Sequence, residues 1–427
     1  MLQTLFPRNP VARALTLSTM ALAASNGVFY TVSVLYFTRV VGLSAGTVGV
    51  GLGIAGGAGV LGAFFAGRWS DRAGAHRVQV WGVAAQALAL AAYSFAGDAV
   101  TFTAVAIVAT AARGVHSTAR QALLARWFTG PERVEVRARL RVVMNVFIGL
   151  GTLAAGIALL LDTTAAYRTA MVATAALLLG AVVPLVVLPR RVPELAARLL
   201  ADPSASGADQ GDEGADGEAG PPARHPLRDR TYVASVALNA VVAMQFGVMT
   251  VGVPLWVAST DAPTAVVSAL LVVNTVLVAL LQVRASRGTH DVRGAGRAVR
   301  RGAVLLAGAC VLYAAAGHGS LVAATVLLVL AAVAHSLGEV VSEAGGWGMA
   351  FELADPRRAG AYQGLSQTGY ALAGMAAPVV VTALPIRYGT PGWLALGAIF
   401  VAAGAGAAAV AARAASPAAV EPVRVEV

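Results

Sequence analysis

The sequence has no lysine, only one cysteine and few charged residues. All 31 basic residues are arginines, and charged residues make up 12% of the 427 positions, against about 25% in an average soluble domain. Cys310 stands alone and cannot form an intrachain disulfide. The net charge of +10 would suit nucleic acid, but the arginines fall in short loops between apolar segments without interleaved aromatic residues. The composition therefore excludes a soluble protein and a nucleic-acid-binding one, and the arginine-only usage is typical of a GC-rich genome.

Motifs for two kinds of chemistry are also missing. The chain has no Gly-Lys-Ser or Gly-Lys-Thr loop that could hold a nucleotide phosphate. The six histidines and the cysteine show no cluster with the spacing of metal ligands. We therefore expect no enzyme activity, no cofactor, no metal site and no ATP-driven pumping.

The chain is instead built from long apolar segments. Hydrophobic residues make up 58% of it, and a membrane-spanning helix needs about 20 mostly apolar residues. Twelve segments meet this condition, which predicts an all-α protein embedded in the lipid bilayer. They cover residues 14–38, 45–66, 78–97, 99–127, 139–161, 166–188, 232–257, 264–285, 301–317, 320–350, 362–384 and 391–414.

A polar stretch separates the sixth apolar segment from the seventh. Its core, residues 201–222, combines six acidic residues with Gly, Ala, Ser and Pro, and such a composition cannot bury enough apolar surface to fold. The sequence therefore predicts an N-terminal six-helix half at 1–189, a linker with a disordered core at 190–230, a C-terminal half at 231–414 and a tail at 415–427.

The arginines also predict the orientation of the chain. With the N-terminus in the cytoplasm, 27 of them fall on the inner side and only Arg39, Arg168 and Arg387 fall outside. Inner loops of membrane proteins carry an excess of basic residues. We therefore expect both termini in the cytoplasm and a location in a bacterial inner membrane.

Two features of the first half recur in the second. The charged segment from Gly67 to Arg77 reads as a tight turn between two spans, and another glycine- and arginine-rich segment lies at residues 287–301. Pro131 follows the fourth span, and Pro356 follows the tenth span 225 residues later. Two parallel six-helix repeats are typical of a transporter that rocks around a site at the middle of the membrane.

These residues resemble the major facilitator superfamily over essentially the whole chain. The segment Gly67-x-x-x-Asp71-Arg72-x-Gly74-x-x-Arg77 is similar to the loop motif between the family's second and third helices. The resemblance implies twelve transmembrane helices in two six-helix bundles related by a pseudo-twofold axis. It also implies that Asp71, Arg72 and Arg77 latch the two halves in the outward-facing state; a role in turn geometry alone is the alternative.

Other positions look most like bacterial efflux-type members of the family. Arg113-Gly114 in the fourth span resembles the family's buried-arginine motif. The Gly-Pro pattern of drug/proton antiporters is missing from the fifth span, where glycines suit close packing. The residues that carry the likeness are Arg137, Arg139, Arg141 and Asn145 at the start of the fifth span and Gly338-Glu339 in the tenth.

The tenth span contains three ionisable residues spaced four apart. His335, Glu339 and Glu343 therefore lie on one face of a helix, with Glu339 close to the middle of the span. An ionisable side chain is costly in hydrocarbon, so each one is a candidate functional residue. We expect Glu339 to carry a proton during transport, with a permanent ion pair to an arginine as the alternative. Glu343 is interpreted as a gate or a solvated group.

Arg113 lies near the middle of the fourth span, and His116 follows on a neighbouring face. A permanent positive charge at that depth needs water, a carboxylate or an anionic substrate group. The family resemblance places helices one, four, seven and ten around the cavity, so Arg113 is expected to face Glu339 or the substrate. A purely structural pairing is the alternative.

Uncharged polar residues within the spans form a second set of candidates. They could bind substrate, or they could form hydrogen bonds between helices. The same choice applies to Asn145 and Asn274, which we interpret as packing residues. The candidates for the substrate cavity are Asn26, Tyr30, Asn239, Gln245, Gln367 and Tyr370.

The sequence favours a monomeric secondary active transporter that exports a small drug-like compound or metabolite in exchange for protons. Import of a nutrient with protons is a second reading, which a cavity richer in hydrogen-bonding than in apolar groups would favour. An uncoupled facilitator is a third. A membrane receptor or scaffold that transports nothing is the alternative from another class.

Overall fold

The computed structural model describes residues 7–200, 225–260, 262–263 and 266–416. The predicted disordered core at 201–222 and the tail from 417 lie outside the described residues. Within them the chain forms helices and connecting turns, with no strand. The expected all-α fold is confirmed.

Twelve long helices follow one another along the part of the chain that the structure describes. In the first half they are α1 (Pro10–Leu35), α2 (Ala45–Ala73), α3 (Ala75–Ala92), α4 (Ala99–Trp127), α5 (Pro131–Leu161) and α6 (Thr164–Arg191), followed by a short helix at Leu195–Leu200. In the second half they are α7 (Arg230–Val257), α8 (Val266–Ala285), α9 (Val292–Ala316), α10 (Leu321–Glu352), α11 (Ala359–Val381) and α12 (Thr390–Ala414). A π-helical turn extends α1 at Tyr36–Val40, interrupts α7 at Val248–Gly252 and extends α11 at Thr382–Ile386.

Eleven helices of the described chain are long and apolar enough to cross a membrane. The exception is α1, which has sufficient length at 26 residues. Its polar side chains, which include Thr16, Thr19 and Asn26, lower its hydropathy. Because it packs against α5 and α6 as a full member of the bundle, it completes the set of twelve.

Several helices begin earlier than the apolar pattern predicts. α5 starts at Pro131 rather than 139, because proline suits the first helical position. α9 starts at Val292 rather than 301, because the Asp291 side chain accepts a hydrogen bond from the Gly294 amide and caps the helix. The arginine-rich stretches at these positions are therefore first turns of helices and not loops.

The charged segment from Gly67 to Arg77 also differs from the predicted turn. α2 continues through Arg72 to Ala73, and α3 begins at Ala75. Only Gly74 interrupts the helical backbone, with a φ of 85° that favours glycine. The connection between α2 and α3 is therefore a single-residue break.

Each half has its own hydrophobic core. The first core contains the aromatic group Phe37, Tyr93 and Phe102, in which the ring centroids of Phe37 and Phe102 lie 4.6 Å apart. The second core contains Tyr313 and Trp393, whose ring centroids lie 4.9 Å apart. The packing is repeated as well, because α1 contacts α5 and α6 while α7 contacts α11 and α12.

The contacts between the halves follow a twofold pattern. α2 packs on α11, and the equivalent helices α8 and α5 pack on each other. In the same way the α4–α11 contact is matched by the contact of α10 with α5. This reciprocity is the expected signature of two six-helix bundles related by a pseudo-twofold axis.

Candidate transport site

A buried ion pair joins the two halves. Nη2 of Arg141 on α5 lies 2.7 Å from Oε1 of Glu339 on α10, and Nη1 of the same arginine lies 3.7 Å from Oε2 of Glu343. Asn274 on α8 donates a hydrogen bond of 2.9 Å to the other oxygen of Glu339. The two acidic residues are only 3% and 5% exposed. Each carboxylate therefore depends on protein groups to replace water.

The arginine belongs to a row of three along α5. Arg133, Arg137 and Arg141 are spaced four apart and face α10, which runs in the opposite direction. Arg133 pairs with Glu352 at the end of α10, and the Arg137 guanidinium lies 4.8 Å from the centroid of the Trp347 ring. Charged and aromatic contacts thus connect the halves over four turns of helix.

A cavity of about 220 Å³ lies beside this row. Its walls come from α4 and α5 in the first half and from α7, α10 and α11 in the second. Most of the lining side chains carry a hydrogen-bonding group. The lining residues are Ser117, Arg120, Gln121, Leu124, Arg137, Leu140, Arg141, Met144, Phe246, Glu343, Trp347, Gln367 and Tyr370.

The acidic residues of α10 and their neighbours have separate partners. The Tyr370 hydroxyl on α11 donates to Oε1 of Glu343 at 3.1 Å. Glu343 is therefore a buried, hydrogen-bonded group rather than the solvated one that the sequence suggests. His335 lies 2.8 Å from Oε1 of Gln245 on α7, so this histidine does not pair directly with Glu339.

Arg113 and His116 lie elsewhere in the first half. Arg113 on α4 is exposed and donates a 2.5 Å hydrogen bond to the Tyr30 hydroxyl on α1. His116 is buried against α3, where its Nε2 lies 2.8 Å from Oε1 of Gln86. The expectation that Arg113 pairs with Glu339 is wrong, because Arg141 occupies that carboxylate.

The remaining uncharged candidates divide between the cavity and the helix contacts. Gln367 and Tyr370 line the cavity, and Tyr370 also borders a small gap against Asn239. Asn239 donates 3.0 Å to the carbonyl oxygen of Ser235 within α7. Asn26 is half-buried on α1 and is not among the lining residues.

Sequence reasoning missed the two arginines of α5 that line the cavity, one of which pairs with Glu339. Arg137 and Arg141 were placed at the membrane boundary because the fifth span was predicted to begin at 139, but the helix begins eight residues earlier. Their spacing of four was the available signal, since it matches the spacing of Glu339 and Glu343 on the facing helix. Asn274, interpreted as a packing residue, is a direct partner of Glu339.

Asp71 forms the second connection between the halves. Its carboxylate accepts hydrogen bonds of 2.8 Å from the amides of Gly360 and Ala361 at the start of α11. It also pairs with Nη2 of Arg126 at 2.9 Å. Gly67 makes this approach possible, because a Cβ there would clash with the carbonyl oxygen of Gly360.

The other charged residues of the motif do not take part in this contact. Arg77 is exposed on the first turn of α3, and Arg72 lies beside Arg68, His225 and Arg358 at the surface. Arg126, which lies outside the motif, is the cation that pairs with Asp71. Gly74 supplies the break after α2.

The described residues contain no group of three or more histidine, cysteine or acidic side chains placed to hold a metal ion. Glu339 pairs with Arg141 and accepts a hydrogen bond from the side-chain amide of Asn274.

Twelve helices in two repeated bundles, with a polar cavity and ion pairs between them, define a membrane transporter rather than an enzyme. The family model for the Major Facilitator Superfamily matches residues 15–378, and the chain belongs to this family. No curated protein sequence matches the chain.

Solved structures with the same fold include two transporters. One is the human organic anion transporter MFSD10 (TETRAN), with a TM-score of 0.67 and 15% identity over 94% of this chain and 100% of that one. The other is a bacterial homologue of the iron transporter ferroportin, in an outward-facing state with soaked iron, with a TM-score of 0.70 and 15% identity over 95% and 99% of the two chains. At this identity the likeness shows the fold alone.

Proposed function

We propose that the protein is a proton-coupled secondary active transporter of a small polar organic molecule, with Glu339 as the proton carrier and Arg141 as its partner. The observation that carries the proposal is their buried ion pair, which crosses from one half to the other beside the cavity. A transporter of this family must link the chemistry of its cavity to the relative position of its two halves. An ion pair that spans the two halves can provide this link, because its strength depends on the chemistry of the cavity and on the relative position of the halves.

Protonation of Glu339 cancels the carboxylate charge and leaves Arg141 with Glu343, whose nearest oxygen is 3.7 Å away. The guanidinium can then turn toward a substrate in the cavity, since its side chain is 21% exposed and the Phe246 ring supports one face. When Glu339 loses its proton, the ion pair with Arg141 forms again and favours release of the substrate. His335 would hold Gln245 and the adjacent turn of α10 in position during this exchange.

Asp71 serves in this proposal as a latch. Its bonds to the first amides of α11 close one end of the bundle, and Arg126 orients its carboxylate. Opening of that end requires the bonds from Asp71 to Gly360 and Ala361 to break, whereas Arg126 lies in the same half as Asp71 and can stay paired with it. We place this end in the cytoplasm, with both termini, because the arginine-rich turns gather there.

The lining of the cavity bears on the direction of transport. Eight of the 13 lining residues are Ser, Arg, Gln, Glu or Tyr, whereas pockets for drug-sized ligands are lined predominantly by apolar and aromatic groups. This polarity favours uptake of a polar compound together with protons over export of a drug-like one. Residues 190–230 serve in this proposal as the linker between the two halves.

The test is transport by the purified protein in proteoliposomes with an imposed pH gradient. A substrate screen with the wild type comes first, followed by Glu339→Gln. The variant should lose accumulation driven by the pH gradient and keep counterflow exchange, because counterflow requires no net proton movement. Glu135→Gln is the matched control, since Glu135 forms a half-buried pair with Arg139 at 3.6 Å within α5. Gradient-driven accumulation by Glu339→Gln at the wild-type level would refute the proposal.

A further inference from the structure

The charges around the cavity do not balance. Three guanidinium groups line it, those of Arg120, Arg137 and Arg141, together with the carboxylate of Glu343; Glu339 is not a lining residue and reaches the site through its pair with Arg141. Both carboxylates lie within ion-pair distance of Arg141 alone. Among the residues that the structure describes, none offers a carboxylate oxygen within 4 Å of Arg120 or Arg137. The site therefore holds an excess of positive charge even with both glutamates ionised.

Arg120 and Arg137 also have unused hydrogen-bonding capacity. They are 9% and 8% exposed, and the nitrogens Nε of Arg120 and Nη1 of Arg137 are buried without a partner in the described chain. The two guanidinium groups, one on α4 and one on α5, repel each other. A buried cation without an ion-paired carboxylate is costly, so a pair of such groups beside a cavity favours a bound anion.

We infer that the transported substrate is a small organic anion whose carboxylate, phosphate or sulfonate group binds between Arg120 and Arg137. This inference rests on the proposed function and adds the chemical class of the substrate. The planar forks of two arginines match the oxygens of such a group. Gln121, with an unpartnered Oε1, and Ser117 lie on the same wall of the cavity and can hold a polar part of the substrate.

The cavity also limits the size of the anion. Its volume of 220 Å³ is below the roughly 300–1,000 Å³ of pockets that enclose drug-sized ligands. The rings of Trp347 and Phe246 are occupied by Arg137 and Arg141, which leaves the ring of Tyr370 for the carbon skeleton. A compact anion with a short apolar or aromatic body fits these limits.

The same arrangement sets the sign of the coupling. A proton on Glu339 or Glu343 adds one positive charge to a site that already attracts anions. Proton and anion therefore strengthen each other's binding, and by linkage the effect is reciprocal. A cationic substrate would compete with the proton instead. The groups that face the two glutamates, and so take part in this linkage, are Arg141 and Arg137 on α5, Asn274 on α8, His335 and Ser336 on α10, and Tyr370 on α11.

The test compares compounds of one shape and different charge. Sets such as benzoate, benzamide and benzylamine, with matching aliphatic sets and phosphate esters, are added to the purified full-length protein, and the shift of its melting temperature is measured. Anions should stabilise it, and the neutral and cationic members should not. Stabilisation should grow as the pH falls. A panel in which neutral or cationic members stabilise more, or in which no anion stabilises, overturns the inference.

Variants identify the anion-binding residues. Arg120→Gln and Arg137→Gln should weaken the response to the best anion by about 10- to 100-fold, as expected for the loss of a charge-assisted hydrogen bond. Arg120→Lys and Arg137→Lys, which keep the charge, should retain part of it and show that the fold persists. Arg139→Gln is the control on the exposed side of the same helix. Equal responses in all these variants would contradict the assigned site.

The outcome can be separated from that of the proposed function. Anion binding that is unaffected by pH and by Glu339→Gln would leave the substrate class intact and remove the proton coupling. Proton-driven transport of a neutral or cationic compound would leave the proton coupling intact and remove the inferred substrate class.

Discussion

Replacement of Asp71 by asparagine should open the end of the bundle that the aspartate closes. The carboxylate accepts three hydrogen bonds, of 2.8 Å from Gly360, 2.8 Å from Ala361 and 2.9 Å from Arg126. Asparagine keeps one acceptor oxygen, so we expect it to satisfy one of these donors and to lose the charge that attracts Arg126. A hydrogen bond to a charged group contributes about 1.5–3 kcal/mol. Arg126 belongs to the same half as Asp71, so only the bonds from Gly360 and Ala361 hold this end closed, and the loss of one of them, at the low end because the side chain is 17% exposed, is about 1.5 kcal/mol.

A change of about 1.5 kcal/mol corresponds to a shift of roughly 10-fold in the equilibrium between the closed and open forms of this end. Spin labels attached at Arg77 and Arg297, which are exposed near the starts of α3 and α9, report the separation of the halves there. The labels need a background in which buried Cys310 is replaced by alanine. The Asp71→Asn variant should show a new population at longer distance.

The control for this experiment is Asp162→Asn. Asp162 also pairs with an arginine at 2.8 Å, but that partner is Arg39 of the same half. Loss of this pair should leave the distance between the halves unchanged. A wild-type distance distribution in Asp71→Asn would refute the latch.

Two further predictions concern packing and pH. Gly67→Val should hold the same end open and reduce transport at least severalfold, because its Cβ would meet the backbone of Gly360. The control Gly53→Val, at a position of α2 with open space, should not reduce transport. Equal transport by the two variants would contradict the steric argument. A hydrogen bond from Tyr167 and the positive charge of Arg39 hold the pKa of Asp162 below its usual value of 3.8. The ionised Asp162 therefore stabilises the fold fully above pH 3.8, and this stabilisation is lost as the pH falls through the lower pKa of the folded state. Asp162→Asn should therefore lower the melting temperature at neutral pH but not in strong acid, and an equal difference at both would disprove this.

The sequence predicts the architecture well, because lipid leaves few choices. Length and apolar composition identify eleven of the twelve long helices of the described chain, and the spacing of Pro131 and Pro356 reveals the repeat. The ends of the helices were harder to predict, since Pro131 and Asp291 start helices within stretches that look like charged loops. Those errors moved the arginines of α5 out of the expected site.

The candidate site was only partly predictable for the same reason. Glu339 stands out because an acidic residue within an apolar span needs a partner. Its partner depends on which helices of the two halves meet, and the matching spacing of four on α5 and α10 was the one sequence signal for that contact. Arg113 was the deepest arginine in the predicted spans, yet it bonds to Tyr30 within its own half, while Arg141 reaches Glu339 because α5 lies beside α8 and α10.

The most direct test of the account is whether the cavity between the halves opens to both sides of the membrane. Met144 lines it, and a cysteine at this position in the Cys310→Ala background can be labelled with a membrane-impermeant thiol reagent from outside or inside proteoliposomes of known orientation. The account predicts labelling from both sides, with Asp71→Asn raising the rate from one side and lowering it from the other. Labelling from a single side in the wild type and in the variant would contradict alternating access at this cavity.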